Sequence, residues 1–128
     1  MDEETKFHWS EGMKYVAEGI KGVFLLNGAS AVSILTFMGN TKIASEHLIL
    51  GLLSFAIGAL SGPVAFCLAY LTQLQYGNQQ RKNGSWSTGS RYHKATFVTV
   101  AIGMLLFIVG IAFASFGFWS ALLLKATP

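Results

Sequence analysis

Two long apolar runs, residues 48–74 and 95–124, constrain the fold of this chain more than any other feature. A helix that crosses a bilayer needs about 20 mainly apolar residues, and both runs exceed that length. Hydrophobic residues make up 52% of the 128 residues and charged residues only 12%, against about 25% charged residues in soluble domains. A soluble domain this small could not bury so much apolar surface in one core. The sequence therefore predicts an all-α membrane protein whose first partner is the lipid bilayer.

A shorter apolar run, residues 22–38, predicts a third membrane span ahead of the other two. Residues 1–21 form a predicted amphipathic N-terminal helix, and residues 22–128 form a predicted three-span transmembrane domain. A helical wheel places the charged residues of the first segment in one narrow wedge. These residues are Glu4, Glu11, Lys14, Glu18 and Lys21. This wedge is typical of a solvated face on an ordinary helix, or of a helix that lies at the membrane surface or packs in an oligomer.

The segment between the two long runs, residues 75–94, sets the predicted orientation. It carries four cations, Arg81, Lys82, Arg91 and Lys94, and no acidic residue. Membrane proteins keep lysine and arginine on the cytoplasmic side of their spans. We therefore expect a basic cytoplasmic loop at residues 75–94, with the N-terminus in the cytoplasm and the C-terminus outside.

Small residues recur on one face of each long span. In the second span this face includes Gly51, Gly58 and Gly62, and in the third it includes Gly103, Gly110 and Gly117. Glycine lets two helix backbones approach closely in a membrane. The spacing predicts close helix packing, either within one chain or between copies in an oligomeric helical bundle.

Two further groups of span residues have alternative interpretations. Asn27 begins a polar ridge in the first span that continues through Ser30, Ser33 and Thr36. Such a ridge indicates hydrogen bonds between helices, or the lining of a pore or ligand site. Three aromatic residues near the end of the third span are Phe113, Phe116 and Trp119. They are typical of an aromatic belt at the membrane surface, and the functional alternative is an apolar gate.

Enzymatic chemistry is not expected from this sequence. It has no nucleophile–base pair, no glycine-rich phosphate loop and no cysteine–histidine spacing typical of a metal site. The single cysteine, Cys67, excludes an intrachain disulfide bond. No cofactor is expected either, and no carboxylate lies in the apolar parts of the spans, so proton transport through a buried acid is not supported.

The basic loop is the best candidate for a ligand site. Its aromatic residues alternate with its cations, and the predicted ligand residues are Arg81, Lys82, Trp86, Arg91, Tyr92 and Lys94. Cations that bind phosphates, beside aromatic rings that stack on bases, are the ingredients of nucleotide or single-stranded nucleic-acid binding. A loop that only obeys the positive-inside rule, with aromatic residues at the membrane interface, has the same composition.

The first span also carries a motif, Leu25-Leu26-Asn27-Gly28 followed by Ala31-Val32, Leu35, Phe37 and Gly39. This motif resembles the LLNGxxAVxxLxFxG first span of small bacterial inner-membrane proteins, including transmembrane effectors of anti-phage defence of the Hailong type. The resemblance is strongest over residues 7–40. It implies an oligomeric channel, with a tetramer favoured, controlled by a nucleic-acid signal. It also implies a partner nucleotidyltransferase and growth arrest by ion leakage.

Two other functions fit the same three spans. A phage holin has a similar length and number of spans, although holins usually end in a charged cytoplasmic tail, which this C-terminus lacks. A small accessory subunit of a larger membrane complex would also explain the small-residue faces. The copy number of the purified protein and depolarisation of expressing cells separate these interpretations.

Overall fold

The computed structural model describes residues 2–79 and 85–126, which form three α-helices and, within those ranges, no β-strand. The helices are α1 (Glu3–Thr41), α2 (Glu46–Gln79) and α3 (Trp86–Ala126). Each is long and apolar enough to cross a membrane. The prediction of an all-α protein with three membrane-length helices is therefore confirmed. Arg81 and Lys82 lie outside the described residues.

Helix α1 runs without a break through both the predicted N-terminal segment and the first span. Asp2 caps its start, because the Asp2 carboxylate accepts a hydrogen bond from the Thr5 backbone N–H at 2.7 Å. Hydrogen bonds from Thr5 also lower the pKa of Asp2. At Lys42 the backbone turns left-handed and the helix ends. With 39 residues, α1 is about 58 Å long, roughly twice the thickness of a hydrocarbon core.

Helix α2 packs against both other helices, and α1 meets α3 over a smaller area that includes the rings of Phe37 and Phe118, 4.7 Å apart. The core cluster of Ile34, Leu48, Phe55 and Ala114 joins all three helices. An apolar groove of about 460 Å³, lined on opposite sides by Leu26 and Met104, separates α1 from α3. The arrangement leaves α1 attached to the bundle mainly along one side.

The glycines of α2 and α3 that the sequence singled out all lie between helices of the same chain. A methyl group built on Gly51 would lie 3.2 Å from the backbone of Ala114, and one on Gly110 would lie 2.7 Å from the Phe55 ring. Atoms of a neighbouring helix also lie close to the position of a methyl group at Gly58, Gly62, Gly103 and Gly117. Residues with larger side chains at these positions would push the helices apart.

Candidate functional site

Three aromatic rings, one from each helix, meet at the end of the bundle where α2 is connected to α3. Tyr76 and Trp86 lie with ring centroids 4.8 Å apart and ring planes 33° from parallel. Trp9 of α1 approaches Tyr76 with a centroid distance of 6.2 Å. We call these three residues the aromatic junction and this end of the bundle the loop end. The junction brings the N-terminal part of α1 to the start of α3.

The neighbours of the aromatic junction fix its central ring. A methyl group built on Gly89 would lie 2.5 Å from Cε1 of Tyr76, so only glycine fits against that ring. The backbone N–H of Ser85 donates a hydrogen bond to Oε1 of Gln75 at 3.2 Å, which ties the start of α3 to the end of α2. The two outer rings stay open to ligands, since Trp9 is 48% exposed and Trp86 62% exposed.

The predicted ligand residues within the described chain do not all converge on this junction. Trp86 is part of it. Tyr92 is half-buried on the side of α3 that faces α2, whereas Arg91 and Lys94 are exposed. Lys94 lies about 160° around the helix from the buried Thr96, which points it away from the bundle. The ligand assignment of these residues stays a prediction, together with that of Arg81 and Lys82.

Trp9 and Tyr76 were not among the predicted ligand residues, although the structure joins them to Trp86. On the helical wheel Trp9 lies opposite the charged wedge of residues 4–21, and this position gives no indication of the helix that Trp9 meets. A contact between residues 67 positions apart depends on how α1 packs along α2, and helical periodicity carries no information about that register.

Asn27 lies at a junction of all three helices and is completely buried, with 0% of its surface exposed. Its Nδ2 donates hydrogen bonds to the carbonyl oxygens of Val23 in α1 at 3.0 Å and Gly103 in α3 at 3.2 Å. Its Oδ1 has no hydrogen-bond partner and lies against Gly58 of α2. A pore-lining role for Asn27 stays a prediction, but within one chain this amide links helices.

The three residues predicted as a gate lie at the end of the bundle opposite the loop end. Phe116 and Trp119 are 65% and 66% exposed on the surface of α3. Phe113 is half-buried, and its ring lies 6.4 Å from His47 near the start of α2. The rings of Phe113, Phe116 and Trp119 therefore do not enclose a passage within one chain, and their role as a gate stays a prediction.

One side of α1 carries small and polar residues outside the packed side of the helix. We call it the α1 outer stripe, and its residues are Glu11, Glu18, Gly22, Ala29, Ser33 and Thr36. At one edge of the stripe, Gly22 and Ser33 also line grooves that α1 shares with α3. All six are exposed or half-buried. On the helical wheel they cluster about 140° from the side of α1 that packs on α2 and α3. That packed side consists of Ile20, Val23, Asn27 and Ile34.

Each hydroxyl group of the outer stripe donates a hydrogen bond within its own helix, and its oxygen lone pairs stay available to accept. Ser33 Oγ donates to the Ala29 carbonyl and Thr36 Oγ1 to the Val32 carbonyl, both at 2.8 Å. An oxygen that already donates to its own helix can still accept a hydrogen bond from water or coordinate a cation. The stripe therefore presents acceptors at the level of the predicted first span.

The glycines of α1 differ from those of α2 and α3. A methyl group built on any of them would meet nothing within 4 Å. These residues are Gly12, Gly19, Gly22, Gly28 and Gly39. Because they are not used for packing inside the protomer, the surface of α1 has space for close approach by another helix.

Comparisons with known proteins do not assign this chain to a family. No family model, curated protein or solved structure matches the chain. Within residues 2–79 and 85–126, no group of three or more histidine, cysteine or acidic side chains is arranged to hold a metal ion. The chemical features on which a function can be argued are therefore the aromatic junction and the α1 outer stripe.

Proposed function

We propose that this protein is a membrane effector of bacterial anti-phage defence that assembles from several copies into an ion-conducting pore. A nucleic-acid or nucleotide signal at the loop end would gate the pore, and opening would leak ions and arrest growth. The observation that carries this proposal is the α1 outer stripe, on which the hydroxyl-bearing residues Ser33 and Thr36 are exposed at the level of the predicted first span.

A polar face on a spanning helix calls for contact with protein or water, because lipid tails offer polar groups no partners. In a single protomer the part of the stripe within the predicted span would face lipid or the groove between α1 and α3, since the packed side of α1 consists of other residues. Association of several copies through α1 would remove it from lipid and place it around a shared axis. Closed rings are the usual form of such assemblies, and the resemblance in the first span favours a tetramer.

The loop end supports the ligand part of the proposal. Two exposed tryptophan rings, Trp9 and Trp86, lie next to a segment that carries four cations and no acid. Exposed aromatic rings stack on bases, and cations bind phosphates. The resemblance adds a partner nucleotidyltransferase as the source of the signal. The proposed setting is the bacterial inner membrane, with the N-terminus in the cytoplasm and the C-terminus outside.

Membrane-potential measurements in cells and ion flux from liposomes test the proposal together. Expression with the activating signal should depolarise bacterial cells without releasing cytoplasmic enzymes, and the purified protein should form a closed oligomer that releases trapped potassium ions. Release of large cytoplasmic proteins would instead indicate a holin. A monomer without ion flux in native lipid would indicate an accessory subunit and would contradict the proposal.

A further inference from the structure

The apolar groove between α1 and α3 has one charged residue of each sign beside its loop end, and we propose that it binds one phospholipid. One acyl chain of the lipid would lie in the groove. Its zwitterionic headgroup, with a phosphate and a primary amine, would lie between Lys94 of α3 and Glu18 of α1. The site requires only that the three helices span a membrane, and it does not depend on the proposed pore.

The groove has the width and the lining of a site for a single hydrocarbon chain. Its volume is about 460 Å³, and it extends along α1 from Gly19 to Asn27, a rise of about 12 Å. The mean cross-section is therefore about 40 Å², at most about half that of an α-helix with its side chains. A helix of a second copy is too wide to enter, whereas an acyl chain is one methylene wide. Apart from Asn27, the lining residues are apolar.

Two glycines open the α1 wall of the groove. Gly19 and Gly22 line it, and a methyl group on either would meet nothing within 4 Å. On the opposite wall Met104 and Ile108 are 56% and 63% exposed. Empty space beside these side chains would forfeit their dispersion contacts. A lipid chain that enters from the side, at the level of the spans, supplies those contacts and buries no polar group.

The hydrogen bond between Asn27 and Gly103, at 3.2 Å, shows which residues of α1 and α3 lie at the same depth. Both helices run away from the loop end, so their residues can be counted in parallel from this bond. Nine residues back from it on either helix, Glu18 of α1 lies level with Lys94 of α3. Both are charged residues at the boundary of the predicted apolar spans.

The helical wheel places these two residues on either side of the groove opening. Glu18 lies about 40° beyond Gly22, which is the lining residue farthest from the packed side of α1. Lys94 likewise lies about 40° beyond Ile108, the lining residue farthest from the glycines of α3 that face α2. Both side chains are exposed. We call Glu18 and Lys94 the lips of the groove.

The charges of the lips match the two charges of a zwitterionic headgroup. Helix α3 contains no acidic residue, and within the described residues Lys94 has no ion-pair partner, so its ammonium group can bind a phosphate. One oxygen of Glu18 accepts from Lys21 at 2.6 Å, and the other can accept from a headgroup amine. An anionic headgroup without an amine would place a negative charge near this carboxylate with no compensating donor. The lips therefore favour a headgroup that carries an amine.

Photo-cross-linking in nanodiscs tests the acyl-chain site. The full-length protein is combined with phosphatidylethanolamine that carries a diazirine on one acyl chain, and mass spectrometry locates the label. We expect the label to concentrate in residues 19–27 and 100–108. In Gly22→Leu it should fall at least roughly five-fold there, because the leucine side chain takes the space of the lipid chain. Gly28→Leu should not change it, because Gly28 is equally open but does not line the groove.

A second pair of variants tests the headgroup. The same diazirine chain on phosphatidylglycerol, which is anionic and has no amine, should label the groove of the unmodified protein at least roughly five-fold less than phosphatidylethanolamine does. Glu18→Gln should bring the two yields close to each other and leave the label in the groove. Glu11→Gln is the matched control, because Glu11 makes the same kind of pair with Lys14 about two turns farther from the groove. It should keep the preference.

Three results would overturn the site. Equal label in the groove and at Leu105 on the outer surface of α3, unchanged by Gly22→Leu, would mean that lipid only surrounds the bundle. Cross-links between copies at residues 19–27, in place of lipid label, would mean that a second copy covers the groove. An unchanged preference in Glu18→Gln would contradict the assignment of the headgroup. Ion leakage from cells and liposomes tests the proposed pore separately, because none of these measurements uses conduction.

Discussion

Asn27 shows at the scale of one residue how a polar group is accommodated inside the bundle. Its Nδ2 has two carbonyl partners, in α1 and α3, while its Oδ1 is buried without a conventional hydrogen bond. The atom nearest to a methyl group built on Gly58 would be this same oxygen. Any side chain at position 58 would therefore overlap the Asn27 amide. The glycine and the amide form one packing unit.

The first prediction is a coupled response of these two residues. Gly58→Ala should lower the free energy of unfolding by about 1–3 kcal/mol, because the new methyl group overlaps the amide. Asn27→Ala should cost roughly 0.5–2 kcal/mol through the lost bond to Gly103. The double variant should lose less free energy of unfolding than the two single variants together, because without the Asn27 amide the new methyl group has nothing to overlap. Unfolding in a titration with sodium dodecyl sulfate measures all three.

The matched control for this cycle is Gly28→Ala. Gly28 directly follows Asn27 in the chain, and a methyl group there would meet nothing within 4 Å. Within one chain this change should leave the free energy of unfolding unchanged or slightly raised, because alanine favours helix over glycine by about 1 kcal/mol. Strict additivity of Gly58→Ala and Asn27→Ala would contradict the proposed contact between the two side groups.

At the scale of the helices, periodicity predicted faces but not partners. The repeat of small residues correctly marked one side of α2, but it could not say that Gly51 would face α3 while Gly62 would face Phe24 of α1. Loop lengths and helix tilt determine whether a small-residue face packs within one chain or between copies. The helical repeat contains no information about either. The ridge that begins at Asn27 was predicted as one feature, yet Asn27 is buried between helices, Ser30 is half-buried, and the last two members, Ser33 and Thr36, are exposed.

The N-terminal segment follows from composition and helix propensity together. Residues 1–21 were predicted as a helix that extends the first span without a break, and the structure has both in one helix, α1. Nothing between Lys21 and Phe24 interrupts a helix strongly, because a single glycine costs only about 1 kcal/mol there. The change from charged to apolar composition marks a change of surroundings and not the end of a helix. That continuity brings Trp9 to Tyr76 on α2.

The second prediction concerns the aromatic junction as a ligand platform. Trp9→Ala and Trp86→Ala should each weaken binding of a single-stranded oligodeoxynucleotide roughly 5- to 150-fold, because stacking contributes about 1–3 kcal/mol per base. Fluorescence anisotropy of a labelled oligonucleotide with the purified full-length protein measures the change. Trp119→Ala is the matched control, since Trp119 is similarly exposed but lies at the opposite end of the bundle. Equal losses in all three variants would contradict a site at the junction.

At the scale of the whole molecule, the length of α1 constrains how the bundle is placed in a membrane. About half of α1 exceeds the thickness of a hydrocarbon core, and its contact between Trp9 and Tyr76 places the excess at the loop end. The six charged residues of residues 4–21 are therefore on the same side of the predicted membrane as Arg91 and Lys94 near the start of α3. Lysine and arginine concentrate at this end, and the other end has only Lys42 and Lys125. The positive-inside rule then predicts that the loop end is cytoplasmic.

The third prediction tests that assignment with one label at each end of the bundle. In the Cys67→Ala background, Ser87→Cys and Ala44→Cys replace exposed residues at the loop end and in the connection between α1 and α2, respectively. A membrane-impermeant maleimide added to intact spheroplasts should modify Ala44→Cys and leave Ser87→Cys unmodified, because charged reagents do not cross the bilayer. Permeabilised cells should give modification of both, which shows that each thiol is reactive. The opposite order in intact cells would place the aromatic junction outside, where no cytoplasmic nucleotide could reach it.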